Sequence, residues 1–459
     1  MYKRAYVAGI AGYIVLLVFS IVFYKERIIF LDTAFTIFHI VKDSFFSIQV
    51  YRFGDVFTQL LPVLCARAGL SLDTLVMSYS VGFVLYYFAC YLVCSSWLKQ
   101  YDLALVVLLL NLLFVTDGFY WITSQLPQGL ALLLVMLAAL RRLPADDVPP
   151  LRAAVIVALV ITLAFFHPLL SIAMLYALLF WRWSGTGAAR KLLSVIGTIF
   201  LLGIILKAIA FHTPYERSSM SGLRNFYRLF PDYFSLYANR QFLWHCLTRF
   251  CWIPLAAAGI TVVYVRTRRW RLLWLFWLAF LGFLLLINVT YPNAATTTYY
   301  IESMYSLLGL IIGLPFVADV LPWLHVRKLA LPAMIAIVLT GCIRIAWADG
   351  TYKARLAWER DFLARNPHIK MIANAQQANA GILQQLWGTP YEFWLLSTTE
   401  QGESASVIID EEPHRRDWAR KRNKTFIVNW DMYPYSTLNP RYFKFTDTVN
   451  GYTTNLLLK

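Results

Sequence analysis

The sequence predicts a polytopic helical membrane protein (fold class α, about 11 transmembrane helices) with a small α+β extracytoplasmic C-terminal domain. Composition, spacing and charge placement carry that expectation. Only 14% of the 459 residues are charged and 59% are hydrophobic, whereas an average soluble chain has roughly 25% charged residues. Mean hydropathy is +0.58. A hydrocarbon core about 30 Å thick needs roughly 20 mainly apolar residues per helical crossing, and such stretches recur through residues 1–348. This composition excludes a disordered chain and argues against a water-soluble enzyme.

Eleven crossings are expected, near 5–24, 75–97, 103–115, 128–140, 153–166, 168–181, 192–210, 246–264, 272–289, 304–323 and 329–347. Lys and Arg concentrate in short cytoplasmic loops. With the N-terminus inside, the inner loops hold fifteen cations, among them Arg141, Arg142, Arg266, Arg268, Arg269 and Arg271, against three acids. The outward loops hold nine cations and nine acids. The formal charge of +16 therefore reflects membrane orientation, and no nucleic-acid partner is expected. Tyr2-Lys3-Arg4 leads into a long apolar run without a small-residue cleavage site, which reads as a retained first helix. All six cysteines lie in or beside apolar stretches, a pattern of neither disulfide framework nor zinc site.

An odd number of crossings sends residues 349–459 outside. This region has 14 basic and 12 acidic residues and is long enough for one small domain. Tyr352 to Arg365 reads as a helix stopped at Asn366-Pro367, and Ser404–Ile409 and Thr425–Trp430 read as strands. Residues 1–348 form the transmembrane domain in this division.

Polar groups kept beside a bilayer are costly, so the outward loops are where chemistry is sought. After the first crossing, Ala34, Ile37, Phe38 and Val41 share one helix face. Asp32, Thr36, His39 and Asp43 fall on the opposite face, giving a short amphipathic helix on the outer surface. Asp32 reads either as the N-cap of Thr33–Val41 or as a general base. Arg52 and Asp55 follow in Tyr51-Arg52-Phe53-Gly54-Asp55. A guanidinium there suits a lipid phosphate, and an internal Arg52–Asp55 pair is the alternative. His167-Pro168 marks a tight outer turn, and His212 ends the seventh crossing. Arg224 and Arg228, four residues apart, are candidate partners for a phosphate leaving group or for lipid headgroups. The last outward loop, Thr290 to Glu302, mixes hydroxyls, an amide and tyrosines. Its Tyr299 and Glu302 suit a sugar or acceptor pocket, and an interfacial aromatic belt has the same composition. No Walker loop, zinc helix or nucleophile elbow is present.

Asp32 after the first crossing, the helix it opens, the later Asp55, the crossing count and the outward C-terminal region together resemble the GT-C class of polytopic membrane glycosyltransferases. The resemblance covers the layout of the whole chain. Many members carry adjacent acids where this sequence has Asp32-Thr33, which leaves Asp43 or Asp55 to supply a second carboxylate. The resemblance implies sugar transfer on the extracytoplasmic face from a polyprenyl-phosphate-sugar donor to a glycan, lipid or protein acceptor, among membrane lipids. A divalent metal ion is compatible with the sequence and not required by it. In this reading Asp32 is the base, Arg52, Arg224 and Arg228 hold phosphate, and His39, Tyr299 and Glu302 shape the sugar or acceptor pocket. Asp55, His167 and His212 are further binding candidates. A bacterial inner membrane is the expected location, with the endoplasmic reticulum as alternative. The rival readings are a transporter or flippase for lipid-linked saccharide and a non-catalytic envelope assembly scaffold.

Overall fold

The computed structural model describes residues 2–143, 149–185, 190–211, 213–215, 221–293, 297–366, 370–375, 378–410, 424–428 and 430–455. The first crossing is helix α1 (Tyr2–Val22), followed by a single turn, α2 (Tyr24–Ile28), and by α3 (Leu31–Asp43). Next come α4 (Val56–Arg67), α5 (Leu72–Leu92), α6 (Tyr101–Leu110), α7 (Gln125–Leu140), α8 (Pro150–Ala164), α9 (Leu170–Ser184) and α10 (Arg190–Ala210). The bundle is completed by α11 (Tyr237–Thr248), α12 (Trp252–Arg266), α13 (Trp270–Thr290), α14 (Thr298–Pro315) and α15 (Ala330–Arg365).

Among the described residues, six helices are long and apolar enough to cross a membrane. A seventh span results if α11 and α12, which meet at 88°, count as one. Four further apolar helices, α6 to α9, have 10–17 residues. Eleven full crossings are therefore not what the helix lengths give. Residues 111–124, between α6 and α7, leave the helix to form a polar-edged loop, and this shortens both neighbours. Outward faces are apolar, with Leu201, Leu206 and Ile209 on α10, Trp274 and Leu278 on α13, and Trp347 on α15 all exposed. Such a belt is unfavourable in water and suited to lipid.

Helix α15 runs unbroken for 36 residues, about 54 Å at 1.5 Å per residue. A core about 30 Å thick cannot contain it. Its second half therefore leaves the apolar layer and carries the chain through residues 348 and 349 with no linker at the boundary the sequence suggested. Only Asn366, extended after the last turn, ends it.

The C-terminal region holds a three-stranded sheet in the order β2-β1-β5, formed by β1 (Lys370–Asn374), β2 (Ser406–Asp410) and β5 (Thr453–Asn455). Both pairings are parallel, with Lys370 opposite Ser406 and Met371 opposite Thr453. Strands β3 (Thr425–Ile427) and β4 (Met432–Pro434) pair antiparallel, and helix α16 (Thr389–Glu400) lies between β1 and β2 in the chain. The two strands read from sequence are present in shortened form.

This region closes over one end of the bundle, here the covered end. Helix α3 is the element it closes on, so α3 is not the surface-lying helix its amphipathic pattern suggested. Leu31, Thr33, Ala34, Thr36, Ile37, Phe38, Ile40 and Val41 are all buried. Phe38 is fully enclosed by the rings of Tyr391, Trp394, Phe426, Tyr433 and Phe443, with centroids 5.1–5.7 Å away. Phe38 lies on the apolar face of α3, and that face thereby packs against a second layer that periodicity within α3 cannot announce. Phe38→Ala is expected to cost about 3–5 kcal/mol and to loosen the C-terminal region first. Limited proteolysis should then cut within residues 366–459 well before the bundle.

Candidate functional site

The site is built at the covered end, where α3 meets the loop between α6 and α7. Buried charges fix both pieces. Arg27 is fully buried; its Nε donates to the Phe119 carbonyl at 2.9 Å, and its Nη1 donates to the Ser80 carbonyl and hydroxyl at 2.7 and 2.6 Å. The guanidinium also lies 4.2 Å from the Phe119 ring centroid, and burial lowers its pKa to about 9. From the other side, Glu302 Oε2 accepts the backbone N–H groups of Thr116 and Gly118 at 2.9 and 2.7 Å. Arg249 pairs with Asp117 in the same loop. A loop carrying orphan amides near an apolar core is stable only when such partners satisfy them.

The start of α3 is held from the C-terminal region. Leu31 has φ 40°, a left-handed conformation unfavourable for a branched residue, and its N–H donates to Glu392 of α16. Glu392 is paired with Arg355 of α15, all three groups being buried. A side chain at Gly388 would sit 2.8 Å from the Leu31 Cα, which is how closely α16 approaches.

Asp32 follows in the first turn. Phe30 occupies the cap position, so Asp32 is not the N-cap. Its Oδ2 instead accepts the Trp121 indole N–H at 2.9 Å. Burial is the main influence on this carboxyl and raises its pKa to about 6. The Trp121 bond opposes the shift and the nearby Glu392 charge adds to it. The Tyr299 ring stands 5.3 Å from Trp121 and 5.0 Å from Phe30, and its buried hydroxyl lacks a hydrogen-bond partner. Tyr79 and Tyr300 are within electrostatic reach of Asp32 as well.

A second buried carboxylate, Asp55, shares with Asp32 an electrostatic neighbour, Tyr79. Arg52 Nη1 donates to Gln125 Oε1 at 2.8 Å, and Gln125 Nε2 donates to Asp55 Oδ2 at 2.9 Å. Arg52 and Asp55 are thus relayed through an amide. Burial raises Asp55 to about 7, against the Gln125 bond and the Arg52 charge. Arg52 Nε is buried without a partner, and the guanidinium lies 5.9 Å from the Tyr215 ring centroid. Just beyond it, Tyr51, Phe53, Phe57, Leu60 and Leu64 are exposed, so the guanidinium borders a lipid-suited stripe of α4.

Other candidates divide. His167 is buried in the turn between α8 and α9. Its Nδ1 accepts the Leu169 N–H at 3.2 Å, and burial with Arg52 and Lys207 nearby holds its pKa well below the usual value. His39 packs edge-on against Phe35 at 4.4 Å and is pushed down to about 4, mainly by burial. Asp43 is half exposed and pairs with Lys42. Glu302 supports the loop with its bonded Oε2, holding residues 116–118. Arg224 and Arg228 are exposed on the segment that packs through Gly222 and Asn225 on Thr290. Among the described residues they make no hydrogen bond or ion pair to the Asp32 cluster. His212, Glu216 and Arg217 lie outside the described residues. Among the described residues no group of three or more His, Cys, Asp or Glu side chains could hold a metal ion.

Trp121, Gln125, Arg27 and Glu392 were not singled out in the sequence. One of them had a signal, because Glu392 interrupts Tyr-Phe-Trp-Leu-Leu as a lone charge in an apolar run, whereas Arg27 follows Lys25 and Glu26. Trp121 and Gln125 had none.

Glu392→Ala leaves Arg355 buried beside Glu359 alone and removes the acceptor of the Leu31 N–H. A loss of about 3–5 kcal/mol is expected, read as a lower unfolding temperature of the purified chain, with Glu392→Gln losing less because it keeps the acceptor.

No family model matches this chain, and neither a curated protein nor a solved structure matches it.

Proposed function

We propose that the chain is a membrane glycosyltransferase of GT-C type, with its covered end facing outward, moving a sugar from an isoprenoid-phosphate donor to an acceptor hydroxyl. One observation carries this reading. A partly buried carboxylate, Asp32, with a raised pKa lies within electrostatic reach of Tyr299, whose buried hydroxyl has no hydrogen-bond partner among the described residues, and of Tyr300, which the Arg52 charge also reaches. Native structures leave few buried polar atoms unpaired, so such a gathering is what an unfilled polar ligand site looks like.

In the proposed reaction the acceptor oxygen bonds to the anomeric carbon while the bond from that carbon to the phosphate oxygen breaks. The bonding pair leaves with the phosphate, and the acceptor proton goes to Asp32. A carboxylate with a pKa near 6 is ionised above that pH, yet more basic than one in water. Arg52 supplies charge to the departing phosphate. Its place at the edge of the exposed Phe57, Leu60 and Leu64 stripe suits a headgroup whose tail stays in lipid. Asp55, tied to Arg52 through Gln125, keeps that guanidinium oriented.

Asp32→Asn should lower glycan product by about 10²- to 10⁴-fold while expression and lipid-carrier binding persist. Normal product formation by this variant would remove Asp32 from the mechanism.

Asp32 must be unprotonated to accept a proton, so the rate should fall as pH drops through about 6. Around this carboxyl stand Trp121, Tyr79, Tyr299, Tyr300 and Glu392. Trp121→Phe removes the donor that favours the anion, and the acid limb should then move to higher pH by about one unit. A pH profile of kcat/KM checks the sign.

A further inference from the structure

The acceptor is the undetermined half of the proposed reaction, and a feature of the C-terminal region bears on it. Trp387 and Trp430 pack in a tilted arrangement with centroids 4.9 Å apart and planes inclined by 32°. Trp430 is 66% exposed. Both rings meet Phe35 edge-on, at 6.3 and 6.4 Å. Phe35 is one helical turn beyond Asp32, so the pair stands over the stretch of α3 that carries the proposed base.

The exposed Trp430 ring, packed on the half-buried Trp387, is costly to leave against water, and here it is framed by polar groups. Trp387 Nε1 donates to Gln385 Oε1 at 2.8 Å, which fixes that ring. Lys42 lies 5.1 Å from the Tyr433 ring centroid, and Asp43 and Asp431 are exposed on either side of it. His39 meets Phe35 at 4.4 Å and is held neutral, so it retains one donor and one acceptor nitrogen. Flat apolar rings with a rim of carboxylates, an ammonium and an imidazole match one ligand chemistry well. The C–H faces of a pyranose lie on the negative faces of the rings, and its hydroxyls reach the rim. A lipid tail would leave that rim unsatisfied.

We propose that Trp387 and Trp430 form a saccharide-binding platform that presents a glycan acceptor to the Asp32 face of α3. The identity of the acceptor rests on the transferase reading; the binding itself does not.

The test uses the full chain in lipid nanodiscs with maltotetraose, cellotetraose, mannotetraose and chitotetraose as probes, at up to about 10 mM. Saturation-transfer NMR should show at least one probe in contact through its ring C–H protons. Trp430→Ala and Trp387→Ala should each weaken that binding by about tenfold or more, and Trp430→Phe should restore part of it. Binding of none of the four, or binding that survives the double alanine variant, overturns the platform. So does quenching of Trp430 by brominated lipid in the bilayer, which would make the pair a membrane anchor. Saccharide binding by a chain that transfers no sugar would support the platform and remove the transferase reading. Transfer to a non-saccharide acceptor without saccharide binding would remove the platform alone.

Discussion

The covered end depends on how a carboxylate is kept at the edge of an apolar bundle. Asp32 has lost much of its water, and among the described residues the Trp121 indole N–H is its one side-chain donor. A carboxylate so placed is unfavourable unless its surroundings are rigid, because a small displacement of the donor leaves the charge unpaired. The rest of the arrangement supplies that rigidity. Arg27, Glu302 and Arg249 fix the loop that carries Trp121, and the Glu392 to Arg355 pair fixes the backbone before Asp32. Of these charges, Arg27, Glu302, Glu392 and Arg355 satisfy backbone groups that irregular chain cannot satisfy itself, and Arg249 pairs with Asp117.

The same arrangement joins the C-terminal region to the bundle. Helix α15 carries Arg355 out of the apolar layer, and α16 returns Glu392 to the start of α3. Phe38 plugs into an aromatic cage drawn from α16, β3, β4 and the segment before β5. The region is therefore part of the wall around Asp32 rather than an appended module, and α3 gains much of its burial from that closure.

Local periodicity made much of this visible in the sequence. Most expected apolar crossings fall on helices, although the one expected at 246–264 is broken between α11 and α12, which meet at 88°. The α3 segment is a helix as its spacing predicted but is buried rather than surface-lying. Helix lengths were less legible, because the break at residues 111–124 is stabilised by Arg27 and Glu302 from elsewhere in the chain. The contacts that define the site are between distant positions. Asp32 and Trp121 are separated by 89 residues, and Leu31 and Glu392 by 361. No period within one helix encodes such a meeting. Arg224 and Arg228 are exposed on a segment that packs on Thr290, a placement their four-residue spacing does not encode.

The most direct measurement is a structure of the chain with a non-transferable phosphonate analogue of a polyprenyl-phosphate sugar. The account predicts phosphonate oxygens within about 3 Å of Arg52 nitrogens, the sugar between Tyr299 and Asp32, and the tail along Phe57, Leu60 and Leu64. An analogue seated at another part of the bundle, with Asp32 facing protein on all sides, would contradict it.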